Sequence, residues 1–278
     1  MIDHNLEYYE QIDWEKLRSQ SLRRKGWQTK KPSDWDNKAS SFSSRNKSSA
    51  YVDQFLENLP LNNSLTVLDI GSGPGTLALP IASRVKHVTA MDFSGGMLKL
   101  LRDSAEEEGL QNISTVQCAW EDDWRQQGID NHDLVIASRS MGVENLTKAI
   151  QKLNEFTNQF VFITDRIGST PFDAVAFAAI GRSFEAGPDY IYTLNILYTL
   201  GIHPNIRIIQ LDAETTYRNI DDALRSYMWM FKELSTREEK ALVDYLHKKT
   251  VASRNGNITI RKDFPPKWAL IWWQKETD

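Results

Sequence analysis

Short apolar runs alternate with longer stretches of helical periodicity through the middle of the chain. The pattern predicts strands at 65–70, 87–92, 113–118, 132–138 and 159–165, with helices at 75–84, 94–108 and 145–157 between them. Such alternation implies a parallel sheet with helices on both faces, and right-handed crossovers make it doubly wound. Ligands then collect at the carboxyl ends of the strands, near the point where strand order reverses. Ahead of the sheet, residues 4–31 read as helical and then basic, and Pro32-Ser33-Asp34 marks a break. From Trp35 to Leu59 a second helical region follows, in which Tyr51, Phe55 and Leu59 recur every four residues and form one face for packing on the sheet. After 165 the chain departs from simple alternation. Helical segments are expected at Phe172–Phe184 and Tyr190–Leu200, and two more over about 219–250, with Met228, Trp229, Met230 and Phe231 serving either a substrate cap or plain packing.

Composition narrows the class without naming a function. With 278 residues, 41% hydrophobic and 25% charged, the chain can bury a large core. A formal charge of -4 argues against general affinity for nucleic acid or anionic membrane. The local exception is residues 18–31, where Arg18, Arg23, Arg24, Lys25, Lys30 and Lys31 surround Trp27 with no acid among them. A single cysteine, Cys118, excludes an intramolecular disulfide and a thiolate metal cluster, and a reducing cytoplasmic setting is expected. His4, His87, His132, His203 and His247 show no metal-ligand spacing, and no metal is expected. Neither a signal sequence nor a membrane span is legible in the pattern.

The most specific chemistry lies in Val67-Leu68-Asp69-Ile70-Gly71-Ser72-Gly73-Pro74-Gly75-Thr76, a strand running into a glycine-rich turn. Glycine there lets backbone approach a ligand where a side chain would collide. A dinucleotide fingerprint puts its third glycine three residues after the second, over a pyrophosphate. Here it comes after two, and Asp69 places a carboxylate at the strand end, which suits a cation. The next predicted strand ends in Asp92, about twenty residues on, where a carboxylate can accept both hydroxyls of a ribose.

These two elements resemble the class I S-adenosylmethionine-dependent methyltransferases, whose first motif is an apolar strand, an acid and G-x-G-x-G. The resemblance covers residues 35–212 and implies the Rossmann-like fold of that family: α/β, a doubly wound, mostly parallel seven-stranded sheet. Asn205–Leu211 and Trp268–Trp273 would be its sixth and seventh strands, with the last antiparallel. A helical N-terminal cap over 1–60 would precede a catalytic domain over 61–278 that carries helical insertions at about 168–201 and 219–252. The implied cofactor is adenosylmethionine, with adenosylhomocysteine as product, and the implied contacts are Asp69, Gly71, Ser72, Gly73, Gly75, Asp92, Phe93, Met97 and Ser138. Trp35-Asp36-Asn37-Lys38-Ala39-Ser40-Ser41-Phe42 is similar to a W-D-x-x-A-x-x-F/Y segment whose aromatics close over the methionine end, which adds Trp35 and Phe42. Where the family often carries an acid for the adenine amino group, this chain has Ala119, so Trp120 is expected to cover the ring while Glu121 or Asp122 takes the polar contact.

The acceptor half is less specific. Arg139 could clamp a carboxylate or phosphate, Asp165 could act as a base or orienting group, and Tyr192 could present a phenol to the cavity. His203 precedes strand six and lies at the wrong end of the sheet. The Asn/Asp-Pro-Pro-Tyr/Phe element of amino methylation on bases is absent after strand four. A small-molecule acceptor is therefore the primary expectation. The alternatives are an RNA or protein acceptor gripped by 18–31, and a binding module that retains the cofactor without turnover. The oligomeric state is not legible.

Overall fold

In a computed structural model the described residues are 9–26, 32–33, 35–36 and 49–276. The chain divides into two compact units, residues 1–165, 187–209 and 269–278 forming the first and residues 166–186 and 210–268 the second.

The first unit is built on a seven-stranded sheet. Its strands are β1 (Thr66–Ile70), β2 (His87–Asp92), β3 (Ile113–Gln117), β4 (His132–Ser138), β5 (Thr157–Arg166), β6 (Asn205–Gln210) and β10 (Lys267–Gln274), in the order β3-β2-β1-β4-β5-β10-β6. The pairs β1 with β2, β1 with β4, β2 with β3 and β4 with β5 are all parallel. Strand order therefore reverses between β1 and β4, and the carboxyl ends of these two strands flank the crevice where an open α/β sheet places its ligand. The strands form because runs such as Leu134, Val135, Ile136 and Ala137, all fully buried, can be covered on both faces only inside a sheet between helical layers.

The helices of this unit are α1 (Trp14–Arg24), α2 (Ala50–Leu56), α3 (Ala78–Ala82), α4 (Gly95–Glu107), α5 (Leu146–Phe156) and α7 (Tyr190–Thr199). Several begin at a side-chain cap, as the orphan amides of a first turn demand: Asp13 for α1, Ser49 for α2, Ser94 for α4, Asn145 for α5 and Asp189 for α7. The expected face of α2 is observed, with Tyr51, Phe55 and Leu59 all buried. Burying a residue such as Phe55 stabilises by about 2–3 kcal/mol. The first crossover helix is shorter than its periodicity predicts, starting at Ala78 and not at 75, because Gly73 and Gly75 adopt φ of 55° and 87° and cannot join a right-handed helix.

The second unit holds α6 (Ala174–Ala179), α8 (Ile220–Met228) and α9 (Thr236–Lys249), with a three-stranded sheet ordered β7-β9-β8 from β7 (Glu214–Tyr217), β8 (Thr250–Arg254) and β9 (Asn257–Arg261). This antiparallel sheet is an addition to the purely helical insertion expected from periodicity. The unit has its own core, including Ala176, Ala223, Tyr227, Leu242, Leu246 and Ile260. Met230 is buried in it and Phe231 packs against it, whereas Met228 and Trp229 are exposed. No helix among the described residues is long and apolar enough to cross a membrane.

Candidate functional site

The glycine turn leaves the end of β1 and is fastened to β2, since the amides of Gly71 and Ser72 both donate to the Met91 carbonyl at 2.8 and 3.0 Å. Its three glycines answer different demands. A Cβ at Gly71 would fall 2.5 Å from Cβ of Ser140, so glycine there allows the β1 and β4 loops to meet. At Gly75 a Cβ would press on Leu79 and Leu101 at 3.0 Å, a packing requirement between α3 and α4. Gly73 differs from both: a Cβ would meet nothing within 4 Å, and the backbone borders open space.

Two buried polar atoms beside this turn have no hydrogen-bond partner among the described residues, Asp69 Oδ2 and Ser72 Oγ. Such orphans are costly and need a reason. Asp69 is 2% exposed, and burial, followed by the nearby charge of Asp92, pushes its carboxyl up to about 7, against the pull of the Ala78 amide. A cation delivered to Oδ2 would restore its ionised form.

Asp92, at the end of β2, is organised by backbone. Its Oδ2 accepts from Gly73 N–H at 2.9 Å and its Oδ1 from Ser94 N–H at 2.8 Å. Burial raises its pKa, amides of Ser94, Gly73 and Phe93 oppose the rise, and Asp36 adds to it. Amides thus take most of the acceptor positions of this carboxylate, and the capacity that remains suits a hydroxyl donor. Asp36 is a participant that sequence reasoning passed over in favour of its neighbour. Its Oδ1 accepts from Ser94 Oγ at 2.5 Å and from Gly96 N–H at 3.0 Å, at the first turn of α4. A Cβ at Gly96 would come within 2.9 Å of that same oxygen, so glycine admits the segment. Trp35 adjoins this contact, and Phe42 lies outside the described residues. Phe93 is half-buried, and Met97 is buried with its amide donating to Ser94 Oγ.

Beyond β3, the indole of Trp120 donates to the Ser140 carbonyl at 3.2 Å, and Ser140 Oγ donates to the Ile70 carbonyl at 2.7 Å. Trp120 thereby links the end of β3 to the crevice between β1 and β4. Its loop is held from beneath by Lys152, whose Nζ donates to the carbonyls of Trp120 and Asp122. Glu121 is exposed, while Asp122 Oδ2 accepts from the Ala119 amide at 2.8 Å. Cys118 is buried and its thiol is pushed up to about 11, chiefly by that burial, which makes it a core residue and no nucleophile.

The ends of β4 and β5 meet at a hydroxyl cluster. Tyr51 OH lies 2.6 Å from Ser138 Oγ and 2.9 Å from Thr164 Oγ1. Arg139 follows with φ of 57°, a left-handed conformation that costs on the order of 1 kcal/mol for a residue with a side chain. Asp165 accepts from Thr193 Oγ1 at 2.6 Å, tying α7 to the end of β5, and Tyr192 beside it is half-buried. His203 is exposed next to the start of β6, edge-on to Tyr198.

The crevice between β1 and β4, with an acid on each of the first two strands and a glycine turn between, agrees with the comparisons to known proteins. Residues 67–159 match the methyltransferase domain family. The chain carries a methyltransferase domain. An uncharacterized protein of Haemophilus influenzae is 36% identical over 245 residues, which span 87% of this chain and 89% of that one. A 23S rRNA (uracil(1939)-C(5))-methyltransferase of Aliivibrio fischeri is 34% identical over 83 residues, 30% of this chain and 19% of its own. The fold is shared with an S-adenosylmethionine-dependent methyltransferase from Geobacter sulfurreducens solved with S-adenosylhomocysteine, at a TM-score of 0.52 and 13% identity, covering 86% of this chain and 96% of the other. The sheet has the seven strands that the sequence resemblance implies, with β10 lying between β5 and β6.

Proposed function

We propose that the chain transfers the methyl of adenosylmethionine to a small-molecule acceptor, with Asp69, Ser72, Gly73, Asp92 and Trp120 lining the donor half. The observation that carries this reading is the pair of orphaned atoms, Asp69 Oδ2 and Ser72 Oγ, beside open space at Gly73. A methionyl ammonium is a donor of the sign and reach that Asp69 lacks. Asp92 offers its remaining acceptor capacity to the ribose, and Trp120 a flat apolar wall to the adenine. When bound, adenosylmethionine supplies an activated methyl on a cationic sulfur. The residues of this chain bind and orient it, and holding donor and acceptor in line can account for much of the rate, with effective molarities of about 10⁵ M or more.

The small-molecule acceptor is favoured by what happens to the basic run. Arg18 is 5% exposed, and its guanidinium donates to the carbonyls of Val143 and Glu144 and pairs with Glu15 at 3.4 Å. Glu15 in turn accepts from the amide and hydroxyl of Thr147 at the start of α5. The first helix is therefore fastened to the loop after β4 through the residue that would have led a phosphate grip, and 27–31 lie outside the described residues. A net charge of -4 points the same way. The test is to supply methyl-tritiated adenosylmethionine and the protein to a cell extract and fractionate the label. The expected result is tritium in the small-molecule ultrafiltrate. Label retained in RNA would overturn the acceptor class, and calorimetry showing NAD bound in preference to adenosylhomocysteine would overturn the donor.

A further inference from the structure

Resting on the donor reading above, the geometry points to an oxyanion on the acceptor, a carboxylate or phosphate, received by the guanidinium of Arg139. Four observations converge on this residue. Its backbone leans toward β5 and away from the glycine turn: Arg139 N–H donates to Thr164 Oγ1 at 2.9 Å, while the next residue, Ser140, takes the β1 side. The guanidinium carbon lies 4.4 Å from the centre of the Tyr51 ring, and that ring is 2% exposed with its hydroxyl fixed between β4 and β5. Stacking occupies the flat face of a guanidinium and leaves its N–H edges available for a planar, two-pronged acceptor.

Third, no carboxylate pairs with Arg139 among the described residues, and its guanidinium makes no hydrogen bond there, although Arg18, Arg182, Arg218 and Arg261 each meet an acid. An arginine at a strand end with a fixed platform and no partner is ready for a ligand. Fourth, the backbone holds φ of 57° at this position. An asparagine or glycine would relieve that strain, so arginine stands here at a conformational cost, the pattern that strain at functional sites shows. The position also separates the two halves of the crevice. Asp69 and Asp92 stand on β1 and β2, while Arg139 follows β4 with its amide on Thr164 and its guanidinium over Tyr51.

The experiment uses the full chain saturated with adenosylhomocysteine and follows the Arg139 Nε resonance by NMR during separate titrations with inorganic phosphate and acetate. A saturable shift in wild type, its loss in Arg139→Met, and affinities for adenosylhomocysteine and methylthioadenosine unchanged within about twofold are expected. Arg139→Asn, which tolerates the left-handed region, should lose the anion response with an unchanged or raised Tm, and so separates binding from folding. No saturable shift, or one that persists at neighbouring resonances in Arg139→Met, overturns the proposal. So does a drop of about tenfold in affinity for adenosylhomocysteine with methylthioadenosine unaffected, because the guanidinium would then hold the cofactor's own carboxylate. Wild-type protein that binds no adenosylhomocysteine would instead overturn the donor reading, and the anion titration would be read on the free protein.

Discussion

Two buried carboxylates, one in each unit, are treated in opposite ways. In the second unit Asp173, 7% exposed, is completely engaged: its Oδ1 caps α6 through the amides of Val175 and Ala176, and its Oδ2 accepts from Tyr245 at 2.9 Å and Tyr227 at 3.4 Å. In the first unit Asp69 is buried more deeply, yet one of its oxygens has no partner among the described residues. A satisfied carboxylate fixes a structure, whereas an unsatisfied one stores free energy that a ligand can release. Under the proposed function, the difference assigns stability to one network and binding to the other.

The largest expected effect breaks the satisfied side. Asp173→Ala would strand two buried tyrosine hydroxyls and remove a helix cap, and a loss of about 3–5 kcal/mol in chemical denaturation is predicted. A loss below about 1 kcal/mol would mean that the network does not hold the second unit together. Next in size is Asp92→Ala, predicted to weaken adenosylhomocysteine binding by about 1.5–3 kcal/mol, the range for hydrogen bonds to a charged group, while the purified protein remains folded. Wild-type affinity in that variant would place the ribose elsewhere.

Legibility in the sequence divides along the same line. Strands such as Val67–Ile70 and Leu134–Ala137 are written as continuous apolar runs because both faces are covered, and the glycine turn is written because only glycine satisfies φ of 69° at Gly71 against Ser140. Asp69 and Asp92 follow from their fixed offsets to that turn. What local pattern could not reveal is partnership at a distance. Asp36 meets Gly96 sixty residues away, and the chain between them gives no periodic sign of it, although a glycine at the first turn of a helix was a clue to close approach. Asp173 finds Tyr227 and Tyr245 across 54 and 72 residues. The short strand β7, Glu214-Thr215-Thr216-Tyr217, is mostly exposed and carries too little apolar alternation to be distinguished from a loop. Position 75 read as helix because the apolar spacing continues through Leu77 and Leu79, and the φ of Gly75 decided otherwise.

The central claim is that the Asp69 carboxylate, through its unsatisfied Oδ2, receives the cationic end of adenosylmethionine, and its titration offers the most direct test. The folded value of about 7 lies above the ordinary 3.8, so the free protein is unpenalised below about pH 4, loses stability as pH rises from 4 to 7, and levels off above that. A bound ammonium favours the ionised form, so binding must expel the proton. Calorimetry of adenosylhomocysteine at pH 6.5, repeated in buffers of differing ionisation enthalpy, should show net release of protons on binding, because burial holds the Asp69 carboxyl well above its ordinary range. Affinity should climb between pH 6 and 8 and then level, and Asp69→Asn should abolish both the release and the climb. Proton release that survives in Asp69→Asn, or a wild-type affinity flat across that range with no proton exchanged, would contradict the account.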